Sequence, residues 1–194
     1  SRASSIEDLD RLENIVIEGH MVDGGVFVPE IDFGLTQVNG TAHIAGGILK
    51  GTHLSARYGK TTGSGGRMTL DLDNRSGPFQ LDILLDADVS QVPPVLRRLI
   101  DHEPFQRELK RIRKATGRAR GRLILGERLS ALRPRIEVSD FRLAVDYQRV
   151  PFPLSVAGGT VTIDDSLLSM SDVTATSNGG ALSILSGSIG WGKS

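Results

Sequence analysis

One stretch of this chain is written twice, and that constrains its fold more than any other feature. Leu35–Lys60 reads LTQVNGTAHIAGGILKGTHLSARYGK, and Leu154–Gly179 reads LSVAGGTVTIDDSLLSMSDVTATSNG, at an offset of 119 residues. Leu35 falls on Leu154, Gly40-Thr41 on Gly159-Thr160, Ile44 on Ile163, Leu49 on Leu168 and Ala56 on Ala175. Each copy reads as a strand, a tight turn and a returning strand. Repeated sequence means repeated structural units that bury their apolar faces together. The expectation is one β unit used twice, both copies hairpins with superposable backbones, and a different insert between them.

The rest of the chain has the same texture. Ala42 and Ile44 share a face by period two, as do Leu54, Ala56 and Tyr58, then Met68, Leu70 and Leu72. Phe79, Leu81, Ile83, Leu85, Ala87 and Val89 hold one face for eleven residues, and Phe141, Leu143, Val145 and Tyr147 do so later. Asn39-Gly40, Gly46-Gly47 and Asn74–Pro78 are turn signals, and Gly59–Gly66 reads as a polar loop. Strands are expected to resume at Gly121–Leu125 after the insert, with Arg135–Val138 and Ala181–Trp191 as further strands. Short turns make the sheet mostly antiparallel.

Helical spacing appears in one insert, near 94–116: Val95, Leu96, Leu99 and Ile100, then Phe105, Leu109 and Ile112 after Pro104. Gly117 reads as its stop. Leu96, Leu99, Phe105, Leu109 and Ile112 are the residues expected to pack on the sheet. Ser5–Leu12 suits a short helix in an N-terminal extension over 1–14, and 15–194 forms the β region. One helical insert is too little to cover the apolar faces of some ten to twelve strands. The sheet must therefore pack on itself or curl around an apolar trough.

Composition excludes several functions. With 194 residues, 23 basic and 23 acidic, the formal charge is zero, which argues against a dedicated nucleic-acid binder. No cysteine is present, so disulfides and thiolate chemistry are excluded. No apolar run is long enough for a membrane-spanning helix.

The polar residues form no familiar catalytic set. Gly59-Lys60-Thr61 is not a phosphate loop, because Leu54 stands where its first glycine belongs and a strand follows. His20, His43, His53 and His102 lack ligand spacing. His43 and His53 could meet across a hairpin, but zinc needs further ligands. Asp82, Asp86 and Asp88 share the polar face of a strand, and Asp164-Asp165 sits at a turn; solvated acids explain both better than a catalytic pair does. The strongest charge signal runs from Arg107 to Arg122, opposed only by Glu108. A solvated helix face accounts for it, and contact of Lys110, Arg111, Arg113 and Lys114 with anionic lipid headgroups is the sharper reading. No aromatic platform for RNA is interleaved.

The segments GVFVPEIDFGLTQVNGTAHIAGGILKGTHLSARYGKTTGSGG, GRARGRLILG and PLSVAGGTVTIDDSLLSMSDVTATSNGGALSILSGSIGWG resemble the AsmA family of bacterial envelope proteins, from about Ile15 to Trp191. The resemblance lies in a repeated pattern, strand, G-T-x-x-I turn, strand, and in no catalytic signature. AsmA-like proteins are similar to TamB and to bridge-like lipid-transfer proteins. The resemblance implies a mainly β, curved, taco-like repeating groove in the periplasm, held to the inner membrane by an N-terminal helix. That helix is missing here, as expected of an excised periplasmic segment. The implied role is non-catalytic: phospholipid acyl chains bound in, or moved along, an apolar groove between inner and outer membranes. Ile44, Leu54, Ala56, Leu81, Ile83, Leu85, Phe141, Leu143, Val145, Val161 and Ile163 are the candidate groove residues. No cofactor, metal or nucleic acid is expected. The alternative is an assembly module that recruits outer-membrane proteins by strand addition. A β-rich hydrolase is disfavoured by the lack of converging acids.

Overall fold

In the computed structural model the described residues are 16–28, 33–74, 76–99, 103–128, 131–164, 167–177 and 180–190. The helix expected over Ser5–Leu12, and His102, Asp165 and Trp191, lie outside them. Eleven strands form one large antiparallel sheet: β1 (Val16–Val28), β2 (Phe33–Ala45), β3 (Ile48–Tyr58), β4 (Thr61–Asp71), β5 (Pro78–Asp88), β6 (Ile112–Arg128), β7 (Ala131–Tyr147), β8 (Leu154–Ala157), β9 (Thr160–Asp164), β10 (Leu167–Ser177) and β11 (Gly180–Gly190). Neighbours follow chain order from β1 to β8, then β10 and β11; β9 pairs with both β7 and β10. The described helices are a single 3-10 turn, Val89–Gln91, and two short α-helices, α1 (Val92–Leu99) and α2 (Glu103–Lys110). The fold is thus mainly β, as the alternating pattern predicts.

The repeat is longer than its sequence signal. Adding 119 to the bounds of β3 gives those of β10, and adding it to β4 gives β11. The ends of β1 and β2 map in the same way onto the ends of β7 and β9. Register repeats as well. In the first copy Ile17 pairs with Ile44 and Ile44 with Leu49. In the second, Ile136 pairs with Ile163 and Ile163 with Leu168. Val26 opposite Leu35 becomes Val145 opposite Leu154, and Thr36 opposite Arg57 becomes Ser155 opposite Thr176. Both copies are therefore four-strand meanders whose first three strands match in register towards their ends, as the expected hairpins do; between the ends they differ, since Gly24 pairs with Val38 but Leu143 with Val156, and Ser55 with Asn39 but Thr174 with Ala157. In the second copy the counterpart of β2 is broken into β8 and β9 by Gly158-Gly159, both at positive φ.

In both copies one strand, β3 and its equivalent β10, carries a register irregularity at a matching place. His53 and Asp172, equivalent residues of β3 and β10, both sit at positive φ, 53° and 57°. Each is an extra residue in its strand, between Thr52 and Leu54 and between Ser171 and Val173. Asp23 (φ 50°) and Gln37 (φ 51°) do the same in β1 and β2. Such bulges bend a strand and shift its side-chain alternation by one. In β10 the apolar set passes from Leu168 and Met170 to Val173 and Ala175; in β7 it passes from Ile136 and Val138 to Phe141, Leu143 and Val145. Without the extra residue, half of β10 would turn its apolar side chains to the opposite face.

Two compact units divide the chain. The first comprises residues 1–58, 62–84 and 123–133; the second comprises 59–61, 85–122 and 134–194. In the first, Phe79, Ile83 and Leu125 are buried, and Gly66 lies between Leu54 and Ile83 so closely that a Cβ there would stand 2.9 Å from Leu54 Cβ and 3.1 Å from Ile83 Cδ1. In the second, Ala87, Val89, Leu109, Phe141, Ile163, Val173 and Ala175 form the core.

Several local expectations need correction. The helical insert ends at Lys110, not at 116. Ile112–Thr116 opens a seventeen-residue strand, β6, which therefore starts well before Gly121. Arginine-rich sequence tolerates a helix, but Ala119, Gly121, Leu123 and Leu125 alternate with exposed Arg118, Arg120 and Arg122, and pairing with β7 selects the strand. Gly117 lies within that strand and stops no helix. The expected loop Gly59–Gly66 is only a turn at Gly59-Lys60, with β4 starting at Thr61; Gln91 Oε1 accepts from the Lys60 amide (3.0 Å) and the Thr61 hydroxyl (3.1 Å) and fixes that turn. Arg135–Val138 and Phe141–Tyr147 belong to one continuous strand.

Among the expected helix residues Leu109 is 6 % exposed, while Leu96, Phe105 and Ile112 are half-buried. The Leu109→Ala protein should lose about 2–5 kcal/mol of stability in a denaturant titration. An unchanged midpoint would show that α2 contributes nothing to the core.

Candidate functional site

The apolar face of the second unit is laid out in cross-strand rows. Val138, Val161 and Met170 stand in one row, Ile136, Ile163 and Leu168 in the next, and Leu143, Val156 and Ala175 in a third. Direct opposition puts each row on one face. Val173 is 1 % exposed, Ala175 4 %, Phe141 5 % and Ile163 8 %; Leu85, Leu143, Val145 and Val161 remain half-exposed. In the first unit Leu54 and Ile83 meet across Gly66, with Ile44, Ala56 and Leu81 half-buried. All eleven candidate groove residues are thus on strands and withdrawn from full exposure, in two sets, one per unit. The sequence reading missed Ile136, Val138, Val156, Leu168 and Met170, which complete the rows. Ile17 on Ile136 and Glu18 on Glu137, at the same offset of 119, were the available signal.

The opposite face of the second unit is polar and held by ion pairs. Asp86 on β5 accepts from Arg118 Nε (2.9 Å) and Nη2 (2.7 Å) and from Arg120 Nε (3.2 Å) on β6. Arg120 also lies 3.6 Å from Asp140 on β7. The Arg118 hydrogen bonds hold the Asp86 carboxyl below its ordinary value, partial burial opposes them, and Arg120 adds to them. Beside this cluster, a cleft of about 580 Å³ is lined by Gly117, Arg118, Arg120, Asp140, Arg142 and Gly158, at the point where β8 gives way to β9. Three arginines against the Asp140 carboxylate leave its lining net positive, and Ser139 adds a hydroxyl.

The basic run does not form a single helix face. Arg107 and Lys110 end α2, Arg111 turns the chain, and Arg113 and Lys114 are neighbours on a strand, so their side chains point to opposite sides. The four headgroup candidates are therefore not brought together. Arg111 is paired with Glu108, which also accepts from the Tyr147 hydroxyl and lies 3.3 Å from Arg149. The Tyr147 hydrogen bond lowers the Glu108 pKa, with Arg111 and Arg149 adding to it, and the same bond raises that of Tyr147.

The histidines are dispersed. His43 lies opposite Lys50, not His53, and contacts Glu18 at 3.1 Å; His20 contacts Thr41 at 3.1 Å. Among the described residues no group of three potential ligands could hold a metal ion, and no helix is long and apolar enough to cross a membrane. Asp164 is 3.5 Å from Arg135.

No protein-family model, curated protein or solved structure matches this chain.

Asp86 generates a pH prediction. A carboxyl whose folded pKa is depressed contributes stability above its unfolded pKa and loses it as pH falls through the folded value. Asp86→Asn should therefore lower Tm at neutral pH, and the gap to the parent should close below the ordinary value of 3.8. Melting curves from pH 7 to pH 2.5 read this directly; a gap independent of pH would contradict it.

Proposed function

We propose that the chain is a non-catalytic segment of an AsmA-like envelope protein, acting in the periplasm. Its apolar strand faces hold phospholipid acyl chains for binding or for transfer between the inner and outer membranes. One observation supports this reading above the others. Successive strands present aligned apolar rows in which Ile163 and Ala175 are buried and the other members stay half-exposed, and the described α-helices are two segments of eight residues. Each is about 12 Å long, which is too short to roof the strands. A face of this kind needs only apolar side chains to take an acyl chain, which fits a polar face occupied by ion pairs. The resemblance of the three quoted segments supplies the compartment and the lipid.

A second reading, a module that recruits outer-membrane proteins by strand addition, draws support from the end strand β1, which carries exposed Val16, Val22 and Phe27.

Native mass spectrometry of the purified protein tests the first reading. The parent should carry phospholipid. Leu143→Asp and Val161→Asp, which place an unpaired charge on the apolar rows at a large desolvation cost, should carry several-fold less. Arg142→Asp, on the other face, should carry as much as the parent. Circular dichroism confirms that each variant is folded. An empty parent, or folded Leu143→Asp and Val161→Asp proteins with undiminished lipid, would refute the acyl-chain reading.

A further inference from the structure

The repeat makes β1 and β7 equivalent strands, yet they differ in their surroundings. β7 has hydrogen-bonded neighbours on both sides, with β6 on one and β8 and β9 on the other; β1 ends the sheet order and pairs with β2. Equivalent side chains record the difference. Phe141 of β7 is 5 % exposed, in the cleft walled by Gly117, Arg118 and Arg120 of β6, whereas Val22 of β1, at the same repeat position, is 79 % exposed. Ile136 is half-buried and Ile17 is 47 % exposed. Six of the ten exposed large hydrophobics among the described residues, Val16, Ile17, Met21, Val22, Val26 and Phe27, lie on β1.

We propose that the edge of β1, which among the described residues pairs with β2 alone, takes an antiparallel strand of β6 chemistry from another polypeptide. Such a strand has glycine at two positions four apart, small and aliphatic residues on one face, and arginines on the other. The β6–β7 contact defines these features. Gly121 packs against the Glu137 carbonyl and 3.1 Å, measured to an added Cβ, from Val138 Cα; Gly117 packs against the Arg142 carbonyl and, measured likewise, 3.0 Å from Leu143 Cα. A side chain at either place would collide with the β7 backbone. The β1 residues at those places are Glu18, Gly19, Asp23 and Gly24, and Asp23 keeps a bulge there. Charge agrees: β1 offers Glu18, whose side chain is 77 % exposed, and Asp23, against Arg118, Arg120 and Arg122 of a β6-type strand. A second copy of this chain does not meet the need, because its own β6 lies between β5 and β7. Open sheet edges with unpaired amides recruit strands readily. The inference stands independently of the acyl-chain reading, since it concerns the edge and not the face.

The test is a labelled peptide of sequence Ile112–Arg128 titrated into the 194-residue protein, with binding read by fluorescence anisotropy and location by amide hydrogen exchange. The peptide should bind and slow exchange across Val16–Val28, leaving β11 unchanged. A peptide carrying Gly117→Val and Gly121→Val should bind about tenfold or more weakly. Lack of protection on β1, equal binding by the valine peptide, or protection of β1 without peptide in a concentration-dependent dimer would each overturn the proposal. The last outcome would assign the edge to a second copy.

Discussion

Strand alternation has a period of two, so a sheet with one apolar face depends on every strand keeping its parity. In this protein that parity is reset part-way along the strands. A bulge in β3 and in β10, at His53 and Asp172, returns the apolar side chains to the face they left. The rows Ile136–Ile163–Leu168 and Leu143–Val156–Ala175 lie on opposite sides of that irregularity and still share a face. If one strand lost its extra residue, its neighbours would meet polar side chains on one half of the ladder. The apolar face, the polar face with its Asp86–Arg118 pairing and the cleft at Gly158 all depend on this registration.

Much of the β architecture is legible in the sequence because period-two alternation is a local signal. β5 can be read from Phe79 to Val89 without reference to anything else. The repeat was visible only in its middle, from Leu35 to Lys60, where turn residues and aliphatics coincide. Its flanks are almost silent, since pairing fixes register through main-chain hydrogen bonds and demands only apolarity from the side chains. Val22 and Phe141, or Gly24 and Leu143, stand at the same repeat offset with little in common chemically.

The errors have a single cause. Residues 104–116 have the composition of a good helix, and a lone sequence does not reveal that β7 waits to pair with Ile112–Thr116. Gly117 looked like a helix stop, yet it is needed where β6 approaches the Arg142 carbonyl. The glycines of 63–66 looked like a loop, but Gly66 is where Leu54 and Ile83 close over a strand. In both places a glycine marks close approach of neighbouring strands, not a break in structure. The basic run lost its meaning as a continuous surface for the same reason: on a strand, Arg113 and Lys114 face opposite ways.

The central claim is that residues 16–71 and 135–190 are one four-strand unit built twice, with the same register where Ile17, Ile44 and Leu49 and their counterparts meet. Cross-strand proton contacts measured by solution NMR test it most directly. The account predicts matched contacts in both copies: Ile17 to Ile44 and Ile44 to Leu49 in the first, Ile136 to Ile163 and Ile163 to Leu168 in the second. A one-residue slip in either copy, or contacts that place Ile163 away from Leu168, would contradict it.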